Sequence, residues 1–300
     1  MPLLMTEAAK LAEDDRQRGI IEELLDKDEF FAMVPFVKAK DDTFSYTREK
    51  SLPGAGWIDP YEDIEESTGE VENVSTKLKI LAGQFDIAKF ISEVKSDMYD
   101  QIAVQAKFKV KAVGRDFKNV LINGDTDVNA KTFDGLKKLV VPGQTIQAGT
   151  DGNALSFAAL DELKDAVPLG ANFLMMRSEV WRVIREMARL QGGNTAQHLF
   201  VENFGMPIRY YDGMPIIIND YIEKNEVQGS SSATTSIYAV RANEVDGFHG
   251  LWAGDAAGIR LEEIGTNFNK DSTRWRVKWY CGAALRATHA VARLKGVLIS

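Results

Sequence analysis

The chain has 300 residues, with 36 Lys and Arg against 44 Asp and Glu, for a net charge of −8. Hydrophobic residues make up 45% and charged residues 27%, the mix of a globular protein, which excludes disordered, collagenous and disulfide-scaffold classes. Cys281 is the single cysteine, so no intrachain disulfide forms; no apolar run reaches the ~18–20 residues of a membrane helix, and Met1 to Lys10 lacks the features of a secretory signal.

The average charge hides an asymmetry. Between Ile58 and Asn73 there are seven acids (Asp59, Glu62, Asp63, Glu65, Glu66, Glu70, Glu72) and no base. From Ser272 to the end there are six bases (Arg274, Arg276, Lys278, Arg286, Arg293, Lys295) and no acid. An acidic total also makes a poor general binder of nucleic acid, because phosphate repels it.

In chain order, the first thirty residues carry a weak helical face at Leu4, Ala8, Leu11, Ile20, Ile21, Leu24 and Leu25. Pattern alone leaves two readings open, an amphipathic core helix and an arm that docks on another chain. Phe30, Phe31, Met33, Val34 and Phe36 form an apolar knot around Pro35. Thr43 to Arg48 and Val74 to Ile80 alternate with period two and predict strands. Their connection exceeds twenty residues, far beyond a usual hairpin loop. It predicts a projecting hairpin with a long acidic tip and little core of its own.

From Ser92, a plausible N-cap, to Leu121 the apolar residues step by three and four, which predicts a helix of ~45 Å. Asn123-Gly124 stops it. Ser156 caps a helix over 157–167 that ends at Pro168, Phe173–Met176 reads as a buried strand, and Ser178 caps a helix over 179–190 that ends at Gly192-Gly193. Met206 to Ile218 reads as two strands about Asp212-Gly213. Residues 225–234, with Gly229 and three serines, predict a flexible surface loop. Thr235–Val240, Ile259–Ile264 and Arg274–Tyr280 follow as strands, then an amphipathic stretch from Ala283 to Val297.

The search for chemistry returns little. His198, His249 and His289 lie far apart and near no ligand-spaced partner, and no nucleophile elbow, P-loop or zinc helix is present. Asp125-x-Asp127-x-Asn129 opens like a calcium loop, but the sixth position is Ala130 and the twelfth Leu136, so an EF-hand is rejected. The strand Arg274-Trp-Arg-Val-Lys-Trp could be a nucleic-acid surface. The reading preferred here is an amphipathic strand with Trp275, Val277 and Trp279 facing a core. No catalytic residue, cofactor site or metal site is predicted.

The order of these features resembles one family. The helix end Ile122-Asn-Gly-Asp125 followed by Phe133-Asp-Gly-Leu136 is similar to tailed-bacteriophage major capsid proteins of the Hong Kong 97 fold. So are Glu7-Ala-Ala-Lys-Leu, Arg18-Gly-Ile-Ile-Glu, Phe30-Phe with Val34-Pro-Phe36, Tyr46-Thr-Arg-Glu with Leu52-Pro, Gly213-Met-Pro-Ile, and Ala-Leu-Arg-Ala-Thr-His289. The resemblance runs nearly end to end and implies an α+β fold. It divides the chain into an N-terminal arm (1–34), an extended loop (35–90), a peripheral domain with a spine helix (91–142), an axial domain (143–257) and a peripheral return (258–300).

It also implies a major capsid protein that self-assembles, as pentamers and hexamers, into an icosahedral head around double-stranded DNA. The head would form in the host bacterial cytoplasm and end in the virion. A portal and a separate scaffolding protein are implied partners; only about thirty-five residues precede the loop, which leaves no room for a large fused scaffold. A decoration protein is left open. No membrane is involved. Some members join a loop-tip Lys to an Asn on a neighbour with a Glu assisting. Here Gly54 to Gly69 contains no Lys, and Trp275 and Gly282 stand near the expected Asn and Glu, so no crosslink is expected. The charge separation predicts an intersubunit contact in which Asp59, Glu62, Asp63, Glu65 and Glu66 face Arg274, Arg276 and Lys278 of an adjacent copy. The alternatives are an encapsulin-type nanocompartment shell and an α+β enzyme with a mobile lid at 48–73.

Overall fold

The structure is a computed structural model that describes residues 29–60, 63–64, 66–90, 98–190, 200–203, 206–254 and 258–299. The predicted helical face before residue 29, the Ser92 cap, His198 and the Gly192-Gly193 stop lie outside these residues.

The long helix α2 (Met98–Asn123) has 26 residues, about 39 Å at 1.5 Å per residue, and a short helix, α3 (Leu136–Leu139), follows it. Ile102, Ala106, Val110, Val113, Phe117 and Leu121 recur at three- and four-residue steps and are buried. They pack onto an aromatic cluster. The short helix α1 (Glu29–Met33) supplies Phe30 and Phe31, and Phe117 lies 5.7 Å from Phe31 and 4.5 Å from Trp279 between ring centroids. The apolar knot around Pro35 is therefore the plug between helix and sheet. Such tilted rings add about 0.5–1.5 kcal/mol per pair beyond area burial.

The first sheet is built on one long strand, β15 (Ser272–Leu285). Along it pair β4 (Lys79–Ala88), β14 (Ile259–Thr266) and β13 (Phe248–Trp252), and β1 (Phe36–Lys38) adds parallel to β13. Trp275, Val277 and Trp279 are buried as alternate residues of β15, so the strand is amphipathic and its aromatic face is core.

A second sheet of nine strands has the central order β5-β16-β12-β7-β10-β9-β8. These are β5 (Thr145–Gln147), β7 (Phe173–Met176), β8 (Phe200–Asn203), β9 (Met206–Tyr211), β10 (Met214–Ile218), β12 (Ser231–Val240) and β16 (Val291–Leu298). Beside them run β6 (Asn153–Ala154) and β11 (Glu226–Gln228). β7 is buried on both faces. Leu174 and Met176 face a core closed by helices α4 (Phe157–Asp165) and α5 (Ser178–Leu190), while Phe173 and Met175 face the core under α2. Ser156 caps α4 by accepting from the Ala159 N–H at 3.2 Å. Asp212 and Gly213 both have positive φ, 45° and 78°, as a two-residue hairpin turn requires.

Three expectations need correction. Residues 225–234 are not a loop: β11 and β12 meet at Gly229, whose φ of 57° closes a tight turn. Their polarity serves a buried network. Arg293 pairs with Glu226 and donates to the Ser236 hydroxyl, which itself bonds Glu226. The predicted strand Val74–Ile80 is split at Leu78 into β3 (Glu70–Lys77) and β4. The stretch from Ala283 to Val297 comprises the end of β15, a 3-10 turn at Thr288–Ala290 and most of β16.

Candidate assembly interface

The feature that stands off the body is the hairpin of β2 (Thr43–Ser51) and β3. Among the described residues its two strands pair only with each other. The register sets Arg48 opposite Glu72, and their side chains meet at 2.8 Å; Lys50 meets Glu70 at 2.7 Å. Both pairs are solvated, so each adds at most about 1 kcal/mol. Such a ribbon has no hydrophobic face to bury against itself, and two strands alone are marginal in water.

The root is fixed by a small satellite core. Tyr46 packs with Leu251 and Ala284, flanked by Phe44, Val74 and Leu78. The Tyr46 hydroxyl donates to the Leu285 carbonyl at 2.7 Å. The Arg286 guanidinium lies over both Phe44 and Tyr46, at 5.6 and 6.0 Å. Beneath them the buried His249 ring meets Phe44 edge-on at 5.6 Å. Burial holds the His249 pKa down to about 4, so the ring is neutral at neutral pH.

Beyond the root, the described tip residues are exposed. Trp57 is 104% exposed, and Leu52, Ile58 and Ile64 are also open to solvent. Large apolar side chains on an acidic ribbon without a core have the composition of a contact surface.

The predicted contact residues fall in different settings. Asp59, Asp63 and Glu66 sit on the exposed tip; Glu62 and Glu65 lie outside the described residues. On β15, Arg274 is held by Asp86 of β4 through two hydrogen bonds of 2.8 and 2.9 Å. That pairing keeps the Asp86 carboxyl down at about 2. Lys278 meets Glu262 of β14 at 2.5 Å. Arg276 makes no ion pair among the described residues. Two of the three predicted bases thus already have partners within the chain. Their partners follow from the β4–β15 and β14–β15 registers, which no local pattern reveals.

A basic surface that the sequence reading missed lies on α2. That helix carries Lys107, Lys109, Lys111, Arg115 and Lys118 against Asp100 and Asp116, and its outward face exposes Val104 and Phe108. The signal was present, as five bases in twelve residues, but the apolar period drew the reading to the buried side.

After α2, the calcium-like turn is occupied by a side chain of the protein itself. The Lys138 ammonium lies 2.6 Å from Asp125, 2.8 Å from Asp127 and 3.2 Å from Asp134. Its pKa is raised by these hydrogen bonds, and that of Asp125 is lowered by the same contact. Gly124 and Gly135 let the chain cross here, with the Gly135 N–H donating to the Gly124 carbonyl at 2.8 Å.

Cys281 is buried and burial pushes its thiol up. Among the described residues no group of His, Cys, Asp and Glu is placed to hold a metal ion, and no helix is long and apolar enough to cross a membrane.

Comparisons with known proteins agree on one architecture. The chain resembles the SrpI encapsulin of Synechococcus elongatus PCC 7942, solved as a holo complex, with a TM-score of 0.70 at 21% identity over 89% of this chain and 86% of that one. It resembles the capsid of a native GTA particle, with a TM-score of 0.63 at 15% identity over 92% and 90% of the two chains. A structure from Microbacterium phage Oxtober96 gives a TM-score of 0.62 at 13% identity over 90% of each chain. No curated relative matches the sequence. These likenesses establish the Hong Kong 97-type capsid fold. The family model described as "Phage capsid family" matches residues 8–296, and the chain belongs to that family of capsid proteins.

Proposed function

We propose that many copies of this chain assemble, as pentamers and hexamers, into the icosahedral head of a tailed phage. The head encloses double-stranded DNA without sequence-specific binding, as suits a net charge of −8. The same reading assigns 35–90 to the extended loop, 91–142 and 258–300 to the peripheral domain, and 143–257 to the axial domain. A portal and a separate scaffolding protein take part during assembly in the bacterial cytoplasm.

The observation that carries this reading is the hairpin, which exposes Trp57, Ile58 and Ile64 at its tip and has a core only at its root. Such an element completes its burial on another copy. A closed shell uses head-to-tail contacts, in which one surface meets a different one on the next subunit. In this reading the acidic tip of one copy (Asp59, Glu62, Asp63, Glu65, Glu66) covers Arg276 and the basic outer face of α2 on its neighbour. Arg274 and Lys278 contribute by holding β4 and β14 on β15.

Size exclusion and electron microscopy of the expressed chain test the proposal. Shells or capsomers are the expected result, and a stable 33.3 kDa monomer overturns it. Boiled in SDS, the shells run as monomers. Glu65→Lys with Glu66→Lys reduces shell yield at physiological salt and leaves the subunit folded. The likeness to the Synechococcus encapsulin supports a second reading, a nanocompartment shell. Shells purified from the native host separate the two: nuclease-protected DNA supports the phage head, and a packaged protein supports the nanocompartment.

A further inference from the structure

Two helices cover the same face of the nine-stranded sheet and carry opposite charge. α4 buries Leu160 and Leu163 and turns Asp161, Glu162 and Asp165 to solvent. α5 buries Val180, Trp181, Ile184 and Ala188 and turns out Arg182 and Arg189, with Arg185 half-buried between them. Lys164 of α4 is drawn aside to Asp212, and Asp161 accepts from the Tyr211 hydroxyl at 2.8 Å. Glu162 and Asp165 make no ion pair among the described residues. Nor do Arg182, Arg185 and Arg189, although Glu186 lies on the same helix. The Arg185 Nε is buried and has no hydrogen-bond partner among the described residues. A buried donor without an acceptor is costly, and the outer end of this half-buried guanidinium is left for an acceptor that the described residues do not supply.

Position makes the two faces usable together. α4 packs against β16 and β12, towards one side of the sheet. α5 follows β7, the parallel neighbour of β10, and buries its apolar face in the same core. An acidic helix face and a basic helix face on one subunit are complementary when copies follow one another around a ring.

We propose that within a capsomer the acidic face of α4 on one copy docks on the basic face of α5 on the next, with Glu162 and Asp165 meeting Arg182, Arg185 and Arg189. This contact is separate from the hairpin tip and rests on the shell-forming reading above. The arginines span two helical turns, ~10 Å along the axis, so a carboxylate pair one turn apart is within their reach. Arginine forks bind carboxylates through two parallel hydrogen bonds, which fixes register as well as attraction.

Three variants test it: Arg182→Glu with Arg189→Glu, Glu162→Arg with Asp165→Arg, and all four changes together. Circular dichroism and thermal unfolding of the dissociated subunit report folding; sedimentation and electron microscopy report capsomers. Each pair of reversals is expected to cut capsomer yield about tenfold with the subunit fold unchanged, and the fourfold variant to restore it. Normal assembly by either pair overturns the contact. So does a folded fourfold variant that stays unassembled. Should a reversal unfold the subunit, Arg182→Gln with Arg189→Gln decides by salt: a flatter salt dependence of assembly supports the contact, and an unchanged one overturns it. A wild-type chain that forms no capsomer under any condition defeats the shell-forming reading instead.

Discussion

The hydroxyl of Tyr46 and the carbonyl of Leu285, 239 residues apart in sequence, are joined by a buried 2.7 Å hydrogen bond at the root of the hairpin. The bond ties a ribbon with a core only at its root to the last residue of β15, the longest of the described strands. Tyr46→Phe keeps the ring and leaves the Leu285 carbonyl unpaired, at a cost of about 1–2 kcal/mol. Amide hydrogen exchange in β2 and β3 should quicken about tenfold, while exchange in α2 is unchanged. Equal effects in both would show that the bond steadies the whole fold and not the hairpin.

His249 gives the same root a pH response. Its folded pKa of about 4 lies below the ordinary 6.5 because the ring is buried beside Arg286 and Phe44. Between those values the unfolded chain takes a proton that the folded chain refuses. Stability is therefore full above about pH 6.5, declines as pH falls, and has lost ~3 kcal/mol by about pH 4. Carboxylates held low by partners, such as Asp86 and Glu179, lose their contribution further down, towards their values of about 2. The difference between wild type and His249→Gln isolates the histidine. Urea midpoints across this range should fall less steeply in the variant, and parallel curves would rule the ring out as the source.

The glycines after α2 are steric requirements. A Cβ on Gly124 would lie well inside contact with the Phe133 and Val120 carbonyls, and one on Gly135 would lie 2.6 Å from the Val120 carbonyl. Backbone atoms cannot step aside, so Gly124→Ala or Gly135→Ala should cost about 2–3 kcal/mol or more. Gly143, with nothing within 4 Å of its Cβ position, is the control and should tolerate alanine within about 0.5 kcal/mol. Thermal unfolding of the three variants checks the ranking.

The parts of this architecture that sequence reveals are those set by local periodicity. The helical step from Ile102 to Leu121, the alternation of Trp275, Val277 and Trp279, and the Asp212-Gly213 turn all follow from residues a few positions apart. The family itself was legible for the same reason, through short segments in a fixed order. Strand β13 was missed because Phe248, His249, Gly250, Leu251 and Trp252 are all buried, which leaves no alternation to see. The pairing of β11 with β12 was missed because its polar residues serve Arg293, more than fifty positions away.

The candidate contact was legible only as a charge separation. That acids and bases are segregated along the chain can be counted. That Arg274 is claimed by Asp86 depends on a strand pairing across 188 residues. The charged flanks of α4 and α5 were hidden by the opposite effect, since each helix looks ordinary until both are seen on one face of the sheet.

The ladder between β4 and β15 gives the hairpin a mechanical character. A pull on the tip reaches the body through Leu78 into β4, which is paired with β15 from Lys79 to Ala88. Force directed along a strand loads the rungs of its ladder in shear, together, whereas force across it would unzip them singly. The hairpin is thus free to bend at its far end yet anchored by a joint that yields only when many bonds break at once. In a capsid shell under load that is the difference between a flexible strap and a weak one.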